Sequence, residues 1–432
     1  MFHRVDLPRA PFEPYAELLD PNLTENLRSL AQEMRGARIV HVNSTPVGGG
    51  VAEILRSLVP VSKGLGLDMD WYVITPPRSF FDVTKKLHNL LQGADGHLTP
   101  EEMETYTQYG GEANSLDFGP LAGDVWFLHD PQLLPLIPLI PEGRRPLVIW
   151  VCHIDLSTPN EGTLDAVLPN IHLADAKVFS MPAYVPPSLG DAAVYVIPPA
   201  IDPLSVKNQS MPMDKALSFL SNMGIDTSRP LVTQVSRFDP WKDPWGVVDA
   251  YKEAKKAIPD LQLAYLGASH AADDPEGKKI LESLKAYVNN DGDIHLYGDS
   301  DIPLQVVDRV VNAFQPASDV ILQKSIREGF GLTVTEAMWK SQPVIGGNVG
   351  GIRAQIQDGA NGFLVDSVDQ CASQIVKLLE KPEFKNSLGA AARESVRSRF
   401  LLPRLLRDYL QVAVEHVKPR QEAATEAIHP GD

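Results

Sequence analysis

Two carboxylates, Glu328 and Glu336, lie in the run REGFGLTVTEAMWKSQPVIGG with seven residues between them, across a turn punctuated by Gly329 and Gly331. The apolar run Val320-Ile321-Leu322 precedes the turn, and a helical pattern (Leu332, Val334, Ala337, Met338) follows it. That order predicts strand, tight loop, helix. A loop of this kind leaves backbone N–H groups at a helix start, where they bind phosphate oxygens. One carboxylate falls in the loop and the other in the first turns of the helix. Both can therefore hold hydroxyls of a sugar nucleotide at the carboxyl end of the strand.

Arg237 and Lys242, in VSRFDPWKDP, follow the apolar run Leu231–Val235. A planar fork of donors beside a mobile point charge suits a diphosphate; taken alone, a solvated pair of surface cations is the commoner outcome. Gly48, Gly49 and Gly50 sit between a strand at Arg38–Asn43 and a helix at Ala52–Leu65. They let the backbone pass close to a ligand, although the run does not match G-x-G-x-x-G and a plain turn is the alternative. His153 and Asp155 (WVCHIDLS) and Asp130 (LHDPQ) end apolar runs and can bind sugar hydroxyls. The alternatives are a structural histidine and, for Asp130, a helix N-cap ahead of Pro131. The segment Asn348–Arg353 offers Gly350 and Gly351 as a further phosphate or sugar contact, or as another turn. Asp68/Asp70, Asp291/Asp293 and Asp299/Asp301 match a loose D-x-D pattern. Solvated carboxylates are the better reading, since none has EF-hand spacing and no His/Cys cluster has zinc spacing. No metal site is expected, and Mg²⁺ at most stimulates.

Short β-rich runs alternating with helical patterns must position these residues, which points to parallel sheets with crossover helices. The 432-residue length favours more than one domain. The Pro-rich stretch Val196–Ser205 is the boundary candidate, giving an α/β fold of two Rossmann-like, doubly wound domains, 1–203 and 204–399, facing a central cleft. A strong helix over 400–417 closes the chain's pattern, and the polar tail 418–432 is expected to be disordered.

Hydrophobic content of 44% with 22% charged residues is ordinary for a globular protein, and a net charge of -16 argues against nucleic acid as a partner. No apolar run approaches the roughly 20 residues that span a bilayer. The start of the sequence lacks a secretory core, and Cys152 and Cys371 form no disulfide framework, so a cytoplasmic enzyme without membrane attachment is expected. A homodimer is compatible with these features.

The Glu328/Glu336 segment resembles the E-x7-E motif of retaining, nucleotide-sugar-dependent glycosyltransferases of family 4, which have the GT-B fold. The Arg237/Lys242 segment resembles the S-R-(x)4-K segment of the same family. Together with HVNSTPVGGGVAEIL and WVCHIDLS, these runs are similar to the trehalose synthases within it, over roughly residues 38–400, and to the related trehalose phosphorylases. The resemblance implies transfer of glucose from UDP- or ADP-glucose to glucose, giving trehalose with no tightly bound cofactor. Phosphorolysis of trehalose, another acceptor, or a non-catalytic nucleotide-sugar sensor are the alternatives. It further implies that Arg237 and Lys242 hold the leaving diphosphate and that Glu328 holds the transferred glucose. Glu336, with Gly329, Phe330, Gly331 and Leu332, would hold the rest of the donor. Gly48, Gly49, Gly50, Asp130, His153 and Asp155 would line the acceptor side, His153 close to the transferred sugar. A C-terminal helix crossing back onto the first domain is expected on the same ground.

Overall fold

Most of the apolar runs become strands of two sheets, each built around a parallel core with helical crossovers. The structure is a computed structural model and describes residues 2–47, 49–109, 111, 116–141, 145–190, 193–267 and 275–428. The chain divides into two units, Met1–Pro199 with Leu402–Asp432, and Ala200–Leu401.

The first unit's strands are β1 (Phe2–Arg4), β2 (Arg38–Asn43), β3 (Asp68–Ile74), β4 (Val125–His129), β5 (Leu147–Cys152), β6 (Ala176–Phe179) and β7 (Val194–Val196). Their order is β1-β3-β2-β4-β5-β6-β7. Only β1 runs antiparallel, pairing Phe2 with Ile74. No sequence signal marks it, because a short edge strand needs neither an apolar run nor alternation. The central strands are buried on both faces and so read as near-continuous apolar runs. The sheet reverses direction of growth between β2 and β4. In doubly wound sheets ligands bind at such a switch point, outside the strands' carboxyl ends.

The second unit contains β8 (Leu231–Val235), β9 (Gln262–Leu266), β10 (Ile294–Tyr297), β11 (Val320–Gln323), β12 (Val344–Gly347) and β13 (Phe363–Val365). The order β10-β9-β8-β11-β12-β13, all parallel, places its switch point between β8 and β11. Its core gathers Tyr251, Tyr265, Leu322 and Ile345 on one side of the sheet, and Leu220, Leu266 and Phe314 on the other.

The last helix, Leu402–Ile428, belongs to the first unit. It runs eleven residues past Val417, where the apolar pattern ends. The stretch QEAATEAI is rich in strong helix formers, so propensity continues a helix that has lost its apolar face. Of the tail 418–432, expected to be disordered, the described part as far as Ile428 is helical. Arg404, only 6% exposed, fastens the helix by donating to the carbonyls of Pro198 (2.8 Å) and Pro199 (3.1 Å) while pairing with Asp408. Tyr195 adds a hydroxyl bond to Glu415 at 3.0 Å.

Candidate active site

In the second unit, the chain leaving β8 must turn sharply before the helix Pro244–Lys255. Asp239 caps the first part of the turn by accepting from Trp241 N–H at 2.8 Å. Asp243, in the left-handed region at φ 49°, then caps the helix through Gly246 N–H. The carboxylate of Asp243 also pairs with the largely buried Lys324, which follows β11. Buried Gln234 ties the two loops together: its amide donates to Lys242 O at 2.9 Å, and its oxygen accepts from Lys324 N–H at 3.1 Å. These anchors hold Lys242 at the switch point. Its Nζ lies 2.6 Å from Glu328 Oε2, an oxygen also reached by Ser325 Oγ (3.2 Å) and Gln323 Nε2 (3.4 Å). Arg237 stands half-exposed on the same loop, 3.4 Å from Asp239.

Gly331 precedes the helix Leu332–Trp339 at φ 83°, a conformation that requires glycine here. Gly351 brings a neighbouring loop against it, for a Cβ there would stand 2.5 Å from the Gly329 carbonyl oxygen. Gln355 stitches the two loops, donating to Phe330 O and accepting from Thr335 Oγ1 at 2.6 Å. The ring of Phe330 is buried against Phe400, so its side chain is closed to a ligand. Leu332 is half-buried, as are Gly329 and Gly331. Glu336 is 1% exposed, and Lys207 Nζ lies 3.4 Å from its Oε1. No sequence signal pointed to Lys207, because its partner is 129 positions away and the surrounding VKNQS carries no motif. Beyond β9 and β10, a hollow of about 280 Å³ is lined by Phe238, Gly267, Lys278, Leu281, Gly298 and Asp299.

In the first unit, Gly49 caps the helix Gly50–Gly64 at φ 85°; Gly50 is its exposed first residue, and Gly48 lies outside the described residues. Asp130 precedes Pro131, yet it caps nothing with its side chain. At φ 69° its Oδ1 instead accepts the backbone N–H of His153 at 2.9 Å, joining the ends of β4 and β5. The N-cap reading of Asp130 is thereby corrected: strand neighbours outcompete the local helix start. Asp155 accepts from Ser157 N–H at 2.8 Å, an Asx turn just after the strand. His153 is half-buried, and its Nε2 lies 3.0 Å from Nδ1 of His129, whose Nε2 lies 2.9 Å from Nδ1 of His41. Burial pushes His41 down to about 3 and holds His129 and His153 below the ordinary histidine range. A larger hollow, about 1450 Å³, lies around Arg38, Asp124 and Leu147 at the opposite ends of the same strands. Its position excludes it from the switch-point site.

Two of the D-x-D carboxylates serve the fold. Asp70, 5% exposed, is surrounded by Arg4, Arg38 and Lys63, and Asp293 pairs with Arg229 and Lys255. These two carboxylates are ion-paired instead of solvated, because strand ends bring distant cations to them, whereas Asp68, Asp299 and Asp301 are exposed. Among the described residues, no grouping of three or more His, Cys, Asp or Glu is placed to hold a metal ion.

Comparison with known proteins follows the same division. Residues 41–186 match the family described as the trehalose synthase N-terminal domain, and residues 220–395 match the glycosyl transferases group 1 family. A trehalose synthase from Rubrobacter xylanophilus is 44% identical over 95% of this chain and 98% of its own. One from Pyrococcus horikoshii is 42% identical over 93% and 95%. Among solved structures, Anabaena HepE in complex with UDP-glucose superposes with a TM-score of 0.59 at 17% identity, covering 87% of this chain and 98% of that one. That likeness is one of fold, the two-unit GT-B architecture of glycosyltransferases.

Proposed function

We propose, since this chain belongs to the trehalose synthase family of group 1 glycosyltransferases, that it transfers glucose from a nucleoside-diphosphate glucose to free glucose, making trehalose with retention at the anomeric carbon. The observation that carries this reading is the constellation at the second unit's switch point, Lys242 on Glu328 with Arg237 on the same loop. UDP- or ADP-glucose is the donor class, in keeping with the UDP-glucose held by HepE.

Arg237 and Lys242 stabilise the charge that grows on the leaving diphosphate, so the bond to the anomeric carbon breaks at lower cost. Glu328, an acceptor already oriented by Ser325 and Gln323, holds hydroxyls of the transferred glucose. Glu336, buried beneath Lys207, suits a fixed acceptor for ribose hydroxyls far better than a nucleophile. The acceptor hydroxyl attacks from the face the diphosphate leaves and passes its proton to a phosphate oxygen. His153, Asp130 and Asp155 of the first unit supply hydrogen bonds to sugar hydroxyls.

The test is a panel of nucleotide-glucose donors with glucose, scored for nucleoside diphosphate and for the disaccharide. Trehalose and nucleoside diphosphate should form in equal amounts. Cleavage of trehalose by phosphate without nucleotide, or a different disaccharide, would overturn the proposal.

A further inference from the structure

Behind His153 stand two further histidines that have no part in the scheme above. In the parallel register of the first sheet, His41 of β2 lies opposite Phe127 of β4, and His129 lies opposite Val151 of β5. Each successive histidine is thus two residues further along its strand. Two residues return a side chain to the same face, so the rings climb diagonally toward the carboxyl ends. Their centroids are 5.3 Å and 5.2 Å apart, at 20° and 19°. At the bottom His41 is fully buried, stacked on Phe127 at 4.6 Å, and its Nε2 has no hydrogen-bond partner among the described residues.

A neutral imidazole carries one N–H, and burial keeps these three neutral. The two N···N contacts each need one donor and one acceptor, which allows two directions only. In the first, His153 donates from Nε2 to His129 and His129 from Nε2 to His41. The remaining proton then sits on Nε2 of His41, a buried donor with nothing to receive it. In the second, His41 donates from Nδ1 to His129 and His129 from Nδ1 to His153. The orphan at His41 is then a bare ring nitrogen, and the remaining N–H is Nδ1 of half-buried His153. Orphaned buried N–H groups are rarer than under-used acceptors, which selects the second direction.

We infer that His41 and His129 are positioning residues that lock His153 as the Nδ1–H tautomer, so that it offers a sugar hydroxyl a donor and not a base. The consequence for transfer rests on the contact proposed above for His153; the tautomer does not.

Nitrogen-15 histidine labelling of the full chain, above the titration range of histidine, reads the tautomer directly. His153 should show a protonated Nδ1 and a bare Nε2; the opposite pattern overturns the assignment. In His129→Phe, His153 loses its donor and should shift toward Nε2–H, while kcat falls about tenfold, the worth of one hydrogen bond. An unshifted His153 in that variant overturns the positioning role. A shifted His153 with unchanged kcat and KM overturns instead the sugar contact proposed for it, leaving the tautomer assignment standing. Should the variant fail to fold, the wild-type spectrum alone decides the assignment.

Discussion

The two switch points occupy the same place in two similar sheets but are built from opposite materials. Between β8 and β11 the loops carry charge: Lys242 on Glu328, Lys324 on Asp243, and Arg237 half-exposed beside Asp239. Between β2 and β4 the corresponding position holds buried imidazoles, His41 stacked on Phe127 and His129 on His41, with Asp130 bonded to a backbone N–H. Charge held ready suits a ligand that is itself charged, and fixed neutral donors suit hydroxyls, which gain little from a formal charge. In the function proposed above, the same scaffold separates a diphosphate task from a sugar task by what lines the strand ends.

The contrast breaks most visibly at the charged end. Lys242→Ala or Arg237→Ala should lower kcat by about 10²–10³-fold, the usual loss for one charge-stabilising donor. Steady-state rates near wild type in either variant would remove the charged end from the mechanism. Next in size, Lys324→Met strands the carboxylate of Asp243 and should cost about 3 kcal/mol of stability, read from urea unfolding. An unchanged midpoint would show that this pair is idle.

The neutral end answers to pH. His41 is held at about 3 against an unfolded value of 6.5, so between those values the unfolded chain binds the extra proton. Stability is therefore full above about pH 6.5 and falls as the pH drops from there toward 3, by up to about 1.4 kcal/mol per pH unit for this one group. His129 and His153 act in the same direction. His41→Phe should flatten that slope by about one proton, measured as unfolding midpoints at neutral and mildly acid pH; an unaltered slope would mean that His41 is charged in the folded protein. Smallest is Lys207→Met, which should raise KM for the nucleotide sugar about tenfold with little change in kcat if Glu336 binds the donor's ribose.

The central strands were legible because doubly buried strands read as apolar runs, and Leu231–Val235 or Leu147–Cys152 need no context to be recognised. β1 was not, since three residues at a sheet edge carry no pattern. Glu328 and Lys242 were legible as candidates because glycine-broken loops after strands are where this fold class binds ligands. Lys207 was invisible for the opposite reason: nothing in its own segment distinguishes it from a solvated lysine, and only folding sets it against Glu336.

Residue order alone thus settled the chain's α/β class, its two-unit plan and its family, since periodicity, loop glycines and motif spacing are local properties. Which carboxylate meets which cation was a matter for the folded chain, as at Asp70, Asp243 and Glu336. So was the histidine ladder. His41, His129 and His153 are 88 and 24 positions apart, and only parallel register, one pleat further on each successive strand, brings their rings into line.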